Sequence, residues 1–162
     1  MFYRVRTDQE IEQVINLAWC IWTEHYTPII GAKQVEYMLN HFHSKAQIAQ
    51  QINVDNYQYF LIKSETKEIG YIGLKIDKDA LFLSKIYILG SARGTGVGRA
   101  TIEFIKNLAE KNNRRKIYLT VNKYNNDAIT AYAKFGFIKT GELCADIGGG
   151  YKMDDFQMEL VF

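Results

Sequence analysis

Leu81-Phe-Leu-Ser-Lys-Ile-Tyr-Ile-Leu-Gly-Ser-Ala-Arg-Gly-Thr-Gly-Val-Gly-Arg-Ala100 decides the fold. Leu81 to Leu89 is a run rich in apolar and β-branched residues, of a length that suits one buried strand. The chain then turns through Gly90 and Ser91 into Arg93-Gly94-Thr95-Gly96-Val97-Gly98 and on into a helical pattern. A strand feeding a glycine-rich turn that opens a helix suits a phosphate group. Glycine lets the backbone approach closely, and the unpaired N–H groups of the first helical turn point at the anion. Arg93 and Arg99 add positive charge to the same cradle.

Spacing separates the families that build such a turn. A P-loop needs Gly-x-x-x-x-Gly-Lys-Ser/Thr, which does not occur here. A dinucleotide fingerprint needs Gly-x-Gly-x-x-Gly, and Gly94-x-Gly96-x-Gly98 is one residue too tight. Arg-x-x-Gly-x-Gly fits, filled by Arg93, Gly96 and Gly98. In that form the turn resembles the acetyl-CoA pyrophosphate loop of the GNAT superfamily of N-acetyltransferases.

Working outward, the glycine turn sits in a chain of 162 residues, long enough for one domain, 1–162, with a sizeable core. Hydrophobic residues make up 48% of it, which argues against disorder. A net charge of +2 argues against general nucleic-acid or membrane-surface binding. No apolar run approaches a membrane span and Met1 to Arg6 has no signal-peptide core, so a cytoplasmic location is expected. Cys20 and Cys144 read as reduced thiols, and His41 and His43 diverge on either a helix or a strand, so no metal site is expected.

Upstream, Phe2 to Arg6 reads as a short strand and Thr7-Asp-Gln-Glu10 as a capping box. Ile11, Val14, Ile15, Ala18, Ile21 and Trp22 form one apolar helix face, and Thr27-Pro28 is expected to stop that helix. Val35, Met38, Leu39 and Phe42 predict a second helix, and Ser44 caps a third with Ile48 and Ile52. Between the first two, Glu24, His25, Tyr26 and Tyr37 are either a helix joint or one wall of an acceptor pocket. Tyr57 to Lys63 and Ile69 to Ile76 read as a hairpin leading into the strand from Leu81.

Downstream, Ala100, Phe104, Ile105 and Leu108 predict the inner face of a helix, followed by a parallel strand from Ile117 to Val121. Asn125 caps the last helix, whose inner face is Ala128, Ala131, Tyr132 and Phe135, and Gly136 closes it. Phe137 to Leu143 and Tyr151 to Phe162 are the final strands, joined across Asp146 to Gly150. The order predicts a single α/β (α+β) domain on one mixed, mostly antiparallel sheet of about seven strands with about four helices.

A second match lies one helix and one strand beyond the glycine turn. Asn125-Asn-Asp-Ala-Ile-Thr-Ala-Tyr-Ala-Lys-Phe-Gly-Phe137 is similar at every fixed position to the GNAT pattern Asn-x-x-Ala-x-x-x-Tyr-x-x-x-Gly-Phe. The resemblance covers residues 57 to 162 well and the first helices loosely. It implies acetyl-CoA, or coenzyme A, in a V-shaped opening between splayed central strands. N–H groups of Gly94, Thr95, Gly96, Val97, Gly98 and Arg99, with Arg93, would hold the pyrophosphate. Backbone groups of Ile88 and Leu89 would pair with the pantetheine arm, one N–H there polarising the thioester carbonyl. Asn122 and Asn125 would contact the cofactor from the far side, with Lys134 either a further contact or a solvent-facing lysine. By the same resemblance Tyr132 would protonate the departing thiolate.

The acceptor is then a primary amine of a small molecule or peptide, attacked directly because no cysteine nucleophile motif is evident. The Tyr151 to Leu160 ending resembles a bacterial branch that includes polyamine and small-amine acetyltransferases. Glu24, His25, Tyr26 and Asp146 are candidates for the base, and exposed strand edges allow a homodimer. A protein N-terminal acetyltransferase and an idle CoA-binding sensor remain open beside this reading.

Overall fold

A computed structural model describes residues 1–162. It opens with strand β1 (Phe2–Arg4) and helix α1 (Asp8–Ile30). The capping box forms: the Thr7 hydroxyl accepts from the Glu10 N–H at 3.2 Å, and the Glu10 carboxylate accepts from the Thr7 N–H at 3.1 Å. Ile11, Val14, Leu17, Ala18, Ile21 and Trp22 are its buried stripe. The expected stop at Thr27-Pro28 does not occur, because Pro28 lies inside the last turn and the helix ends at Gly31. Proline's fixed φ is helical, so near a helix end it costs one backbone bond without breaking the turn. Gly31, at φ +88°, then redirects the chain.

Helix α2 (Ala32–Phe42) buries Val35, Met38 and Leu39, whereas Phe42, expected on that face, is exposed. Ser44 caps α3 (Lys45–Asn53) by accepting from the Gln47 N–H at 3.2 Å, and Ile48 is its buried residue.

The strands β2 (Tyr57–Ser64), β3 (Lys67–Ile76), β4 (Leu81–Ile88), β5 (Lys116–Asn122), β6 (Ile138–Gly148) and β7 (Tyr151–Val161) complete a seven-stranded sheet in the order β1-β2-β3-β4-β5-β7-β6. β2 runs antiparallel to β1 and β3, and β7 antiparallel to β5 and β6. β4 and β5 run parallel, with Leu81 opposite Ile117 and Phe82 opposite Tyr118. Helix α4 (Val97–Lys111) makes the crossover that parallel pairing requires. β6 continues five residues beyond the predicted end at Leu143, so Asp146 is a strand residue opposite Lys152 and not part of a loop. The turn is Gly149-Gly150, both at positive φ.

Two compact units make up the chain: Met1–Lys75 with Ser84–Val97, and Ile76–Leu83 with Gly98–Phe162. In the first, Leu61, Ile62, Ile72 and Leu74 are buried strand residues, and the α1 stripe, Leu39 and Ile48 are the buried helical ones. In the second, Ile102, Ile105, Ala109, Ile117, Leu119, Met158 and Leu160 form the core. The buried face of α4 is Thr101, Ile102, Ile105 and Ala109, so of the predicted face only Ile105 is fully buried. Apolar residues recur on two overlapping stripes of α4, and periodicity alone does not choose between them. Helix α5 (Asn126–Lys134) has no fully buried residue, and its predicted inner face is half-buried.

Candidate active site

In the first unit β4 ends at Ile88 and a single 3-10 turn, Gly90–Ala92, leads into the glycine segment. The Leu89 N–H donates to the Ile69 carbonyl at 2.8 Å, and its own carbonyl accepts from the Ala92 N–H at 2.9 Å. Of the N–H groups expected to polarise a thioester carbonyl, that of Leu89 is thus engaged within the chain. Arg93 donates through Nε to the Ile88 carbonyl at 3.1 Å, and its Nη1 lies 3.3 Å from His25 Nδ1. The guanidinium is anchored at its base while the residue stays exposed.

Gly94 and Gly96 have φ of +73° and +88°, and a Cβ at either would meet open space. They are glycine for their backbone conformation, and nothing crowds the surface there. Thr95 ties the segment back by donating to the Ala92 carbonyl at 2.6 Å. Val97 starts α4, so the N–H groups of Val97, Gly98 and Arg99 belong to a first helical turn without intrahelical acceptors. Gly98 and Arg99 both lie against Phe135, whose ring would be 3.5 Å from a Cβ at Gly98. Within the first unit, the exposed backbone of Gly94 and Gly96, the helix start at Val97 and the Arg93 guanidinium fit a diphosphate.

The same unit gathers three of the proposed acceptor residues. Glu24 lies against Gly90, where an added Cβ would stand 3.1 Å from Oε1. His25 meets Arg93, and the Tyr26 ring packs 4.8 Å from Trp22 and 6.1 Å from Tyr87. Tyr37 is placed differently, stacked at 4.0 Å on His41 of its own helix. Residues the sequence did not single out for function pack beside them. Trp22 packs 5.3 Å from Tyr87 and 4.8 Å from His43. Trp22 Nε1 donates to the Tyr71 hydroxyl at 3.2 Å, which lies 3.2 Å from His43 Nε2. Burial holds the Tyr71 phenol well above its ordinary range. Burial, and then the charge of Lys85, push the His43 imidazole well below its own.

The second unit holds the motif of the last helix. Asn125 is buried, and its side-chain carbonyl caps α5 by accepting from the Ala128 N–H at 3.4 Å. Asn122 accepts from the Tyr124 N–H at 2.9 Å. Tyr132 is half-buried with its ring 5.6 Å from Phe137, and Lys134 is exposed. Asp155, opposite Asn122 on β7, is pushed up to about 6 by burial and then by Asp154, against a hydrogen bond from Thr120. Asp146 belongs to this unit too, apart in sequence and element from Glu24, His25 and Tyr26. No group of three or more His, Cys, Asp or Glu residues is placed to hold a metal ion.

Comparison with known proteins bears on the same elements. The family model described as an acetyltransferase (GNAT) domain matches residues 26–159. The PaiA N-acetyltransferase of Thermoplasma acidophilum, solved in complex with coenzyme A, superimposes with a TM-score of 0.79 at 18% identity, covering 100% of this chain and 99% of that one. A variant of the spermidine N-acetyltransferase SpeG of Vibrio cholerae gives 0.70 at 18% identity over 99% and 92%. The ribosomal-protein-S18-alanine N-acetyltransferase of Escherichia coli gives 0.73 at 17% identity over 99% and 92%. At these identities the structural likeness is one of fold, while the family match spans most of the chain. With its glycine segment and its α5 motif both inside the matched residues, the chain belongs to the GNAT family of acetyl-CoA-dependent N-acetyltransferases.

Proposed function

We propose that the chain, acting as one domain over 1–162, transfers the acetyl group of acetyl-CoA directly to the primary amine of a small molecule. The observation that carries the reading is the open glycine segment, with Arg93 anchored at its edge and α4 starting behind it. Acetyl-CoA brings an acetyl group already activated as a thioester. The N–H groups from Gly94 to Arg99, with the Arg93 and Arg99 guanidiniums, hold its diphosphate. Asn125 fixes the start of α5, and with it the helix that carries Tyr132.

Tyr132 keeps its hydroxyl proton until the C–S bond breaks, then gives it to the departing sulfur. The amine nitrogen forms the new C–N bond and loses one proton of its own. An ordinary ammonium, with a pKa near ~10, must be deprotonated before it attacks. Glu24, His25 and Tyr26, gathered beside the glycine segment, are the groups proposed to receive or relay that proton. Glu24 is the one carboxylate among them, which supports a small singly charged amine over a polyamine.

Thiol release from acetyl-CoA in the presence of a panel of small amines tests the proposal. Turnover with at least one amine, lowered by roughly 10²-fold or more in Tyr132→Phe while calorimetry shows CoA still bound, is the expected result. Absence of CoA binding would overturn it. Tight CoA binding with no acceptor turned over would point to a sensor.

A further inference from the structure

We propose that the acceptor amine also carries a carboxylate, and that Lys85 receives it, so that the substrate class is a zwitterionic amine such as an amino acid. The inference rests on the acetyl-transfer reading above and concerns the first unit alone.

Alternation along β4 puts Tyr87 and Lys85 on the same face of the strand. Tyr87 is half-buried and packs against Trp22, Tyr26 and Tyr71. Two residues further from the glycine segment, Lys85 is only 8% exposed. Its ammonium has three hydrogens to donate and one hydrogen-bond partner, the neighbouring Ser84 hydroxyl at a long 3.3 Å. It also lies 5.5 Å from the centre of the Tyr59 ring. Gly73 keeps room for both, since a Cβ there would come within 3.1 Å of the ring and 3.4 Å of the lysine stem. None of the ion pairs in the chain includes Lys85. A buried cation without a counter-ion is costly and calls for an explanation.

His43 adds a second unanswered group. Trp22 can only donate, so Tyr71 accepts from it and donates its own hydroxyl hydrogen to His43 Nε2. That leaves His43 Nδ1 carrying a hydrogen, buried and without a partner. The groups found around Lys85 are therefore uncharged: the Ser84 hydroxyl, the Tyr59 ring and the His43 imidazole. Burial lowers the Lys85 ammonium to about 8, and the Lys85 charge helps lower His43, which is the same shortage of negative charge seen from the proton side. An oxyanion answers these donors. Glu24, at the exposed end of the wall beside Gly90, carries the opposite charge. An acceptor with an ammonium toward Glu24 and a carboxylate toward Lys85 matches that order, whereas a polyamine would bring a second cation to Lys85.

Two measurements test this. First, matched pairs of acceptors that differ by one carboxylate, ornithine against putrescine and phenylalanine against 2-phenylethylamine, are compared by kcat/KM. The carboxylate-bearing member is expected to be favoured at least ~10-fold, the scale of one charge-assisted contact. Lys85→Met should abolish that preference and Lys85→Arg should keep part of it. Second, nitrogen NMR follows the Lys85 ammonium in the unmodified protein, with 3-phenylpropionate as a carboxylate that cannot be acetylated. Its titration is expected to move to higher pH on binding, which needs neither turnover nor a folded variant. Equal turnover within pairs, an unchanged preference in Lys85→Met, or a Lys85 titration indifferent to the carboxylate would each overturn the inference. Amines acetylated without regard to a carboxylate would remove this inference and leave acetyl transfer standing; CoA bound with no amine acetylated would remove the transfer reading instead.

Discussion

Tyr132 and Lys85 show what a single side chain reveals in sequence. Tyr132 stands at a fixed spacing within a thirteen-residue pattern, Asn125 to Phe137, so it could be named before any coordinates. Lys85 looks like an ordinary strand lysine, and only the packing of β2 and β3 beneath it, with Gly73 opening the space, shows that it is buried. In the sequence His43 shows only its spacing from His41, because its neighbours Trp22 and Tyr71 are far away in the chain. Tyr132→Phe keeps the ring against Phe137 and removes only the hydroxyl. A fall in kcat of roughly 10²- to 10⁴-fold is expected, with CoA affinity by calorimetry unchanged. Arg93→Ala removes a charged donor from the proposed diphosphate cradle, and CoA should bind about 10-fold more weakly, measured the same way.

At the scale of elements, the signals that read true are local. The capping box needs four consecutive residues and the glycine segment six, and both form as the sequence predicts. Pro28 misleads because a proline stops a helix only when the lost bond and the ring's bulk outweigh the packing of the turn. The face of α4 misleads because two apolar stripes compete and the sheet chooses. Thr7→Ala should lower stability by about 1 kcal/mol in chemical denaturation, since the Glu10 N–H loses the hydroxyl that accepts from it. Gly96→Ala forces a Cβ into a backbone at φ +88°, at a cost of about 1 to 2 kcal/mol. It should also weaken CoA binding, because relaxing that strain moves the N–H groups proposed to hold the diphosphate.

For the molecule as a whole, the buried titratable groups make stability depend on pH. Lys85 sits at about 8 in the folded chain against 10.5 when exposed, so the unfolded chain binds more protons between those values. Stability should therefore rise with pH across that window, by about 3 kcal/mol for the full shift. Tyr59 and Tyr71, both held up by burial, act with the opposite sign above pH ~10, so pH 8 to 10 is the clean range. Denaturation midpoints at stepped pH should climb there, and Lys85→Met should flatten the climb. Below pH ~6.5 the buried neutral His43 makes stability fall with acid, while Asp155, raised to about 6, acts in the opposite direction.

The division of the chain has a consequence for dissecting it. Residues Ile76–Leu83 of the second unit are threaded between two pieces of the first, and β4 passes from one to the other at Leu83-Ser84. No single cleavage of the polypeptide can part the two units cleanly: a cut after Val97 takes Ile76–Leu83 of the second unit away with the first, and a cut after Lys75 takes Ser84–Val97 of the first away with the second. Fragments ending at Lys75 or at Val97 should be insoluble when produced alone and recover only when their complement is made beside them.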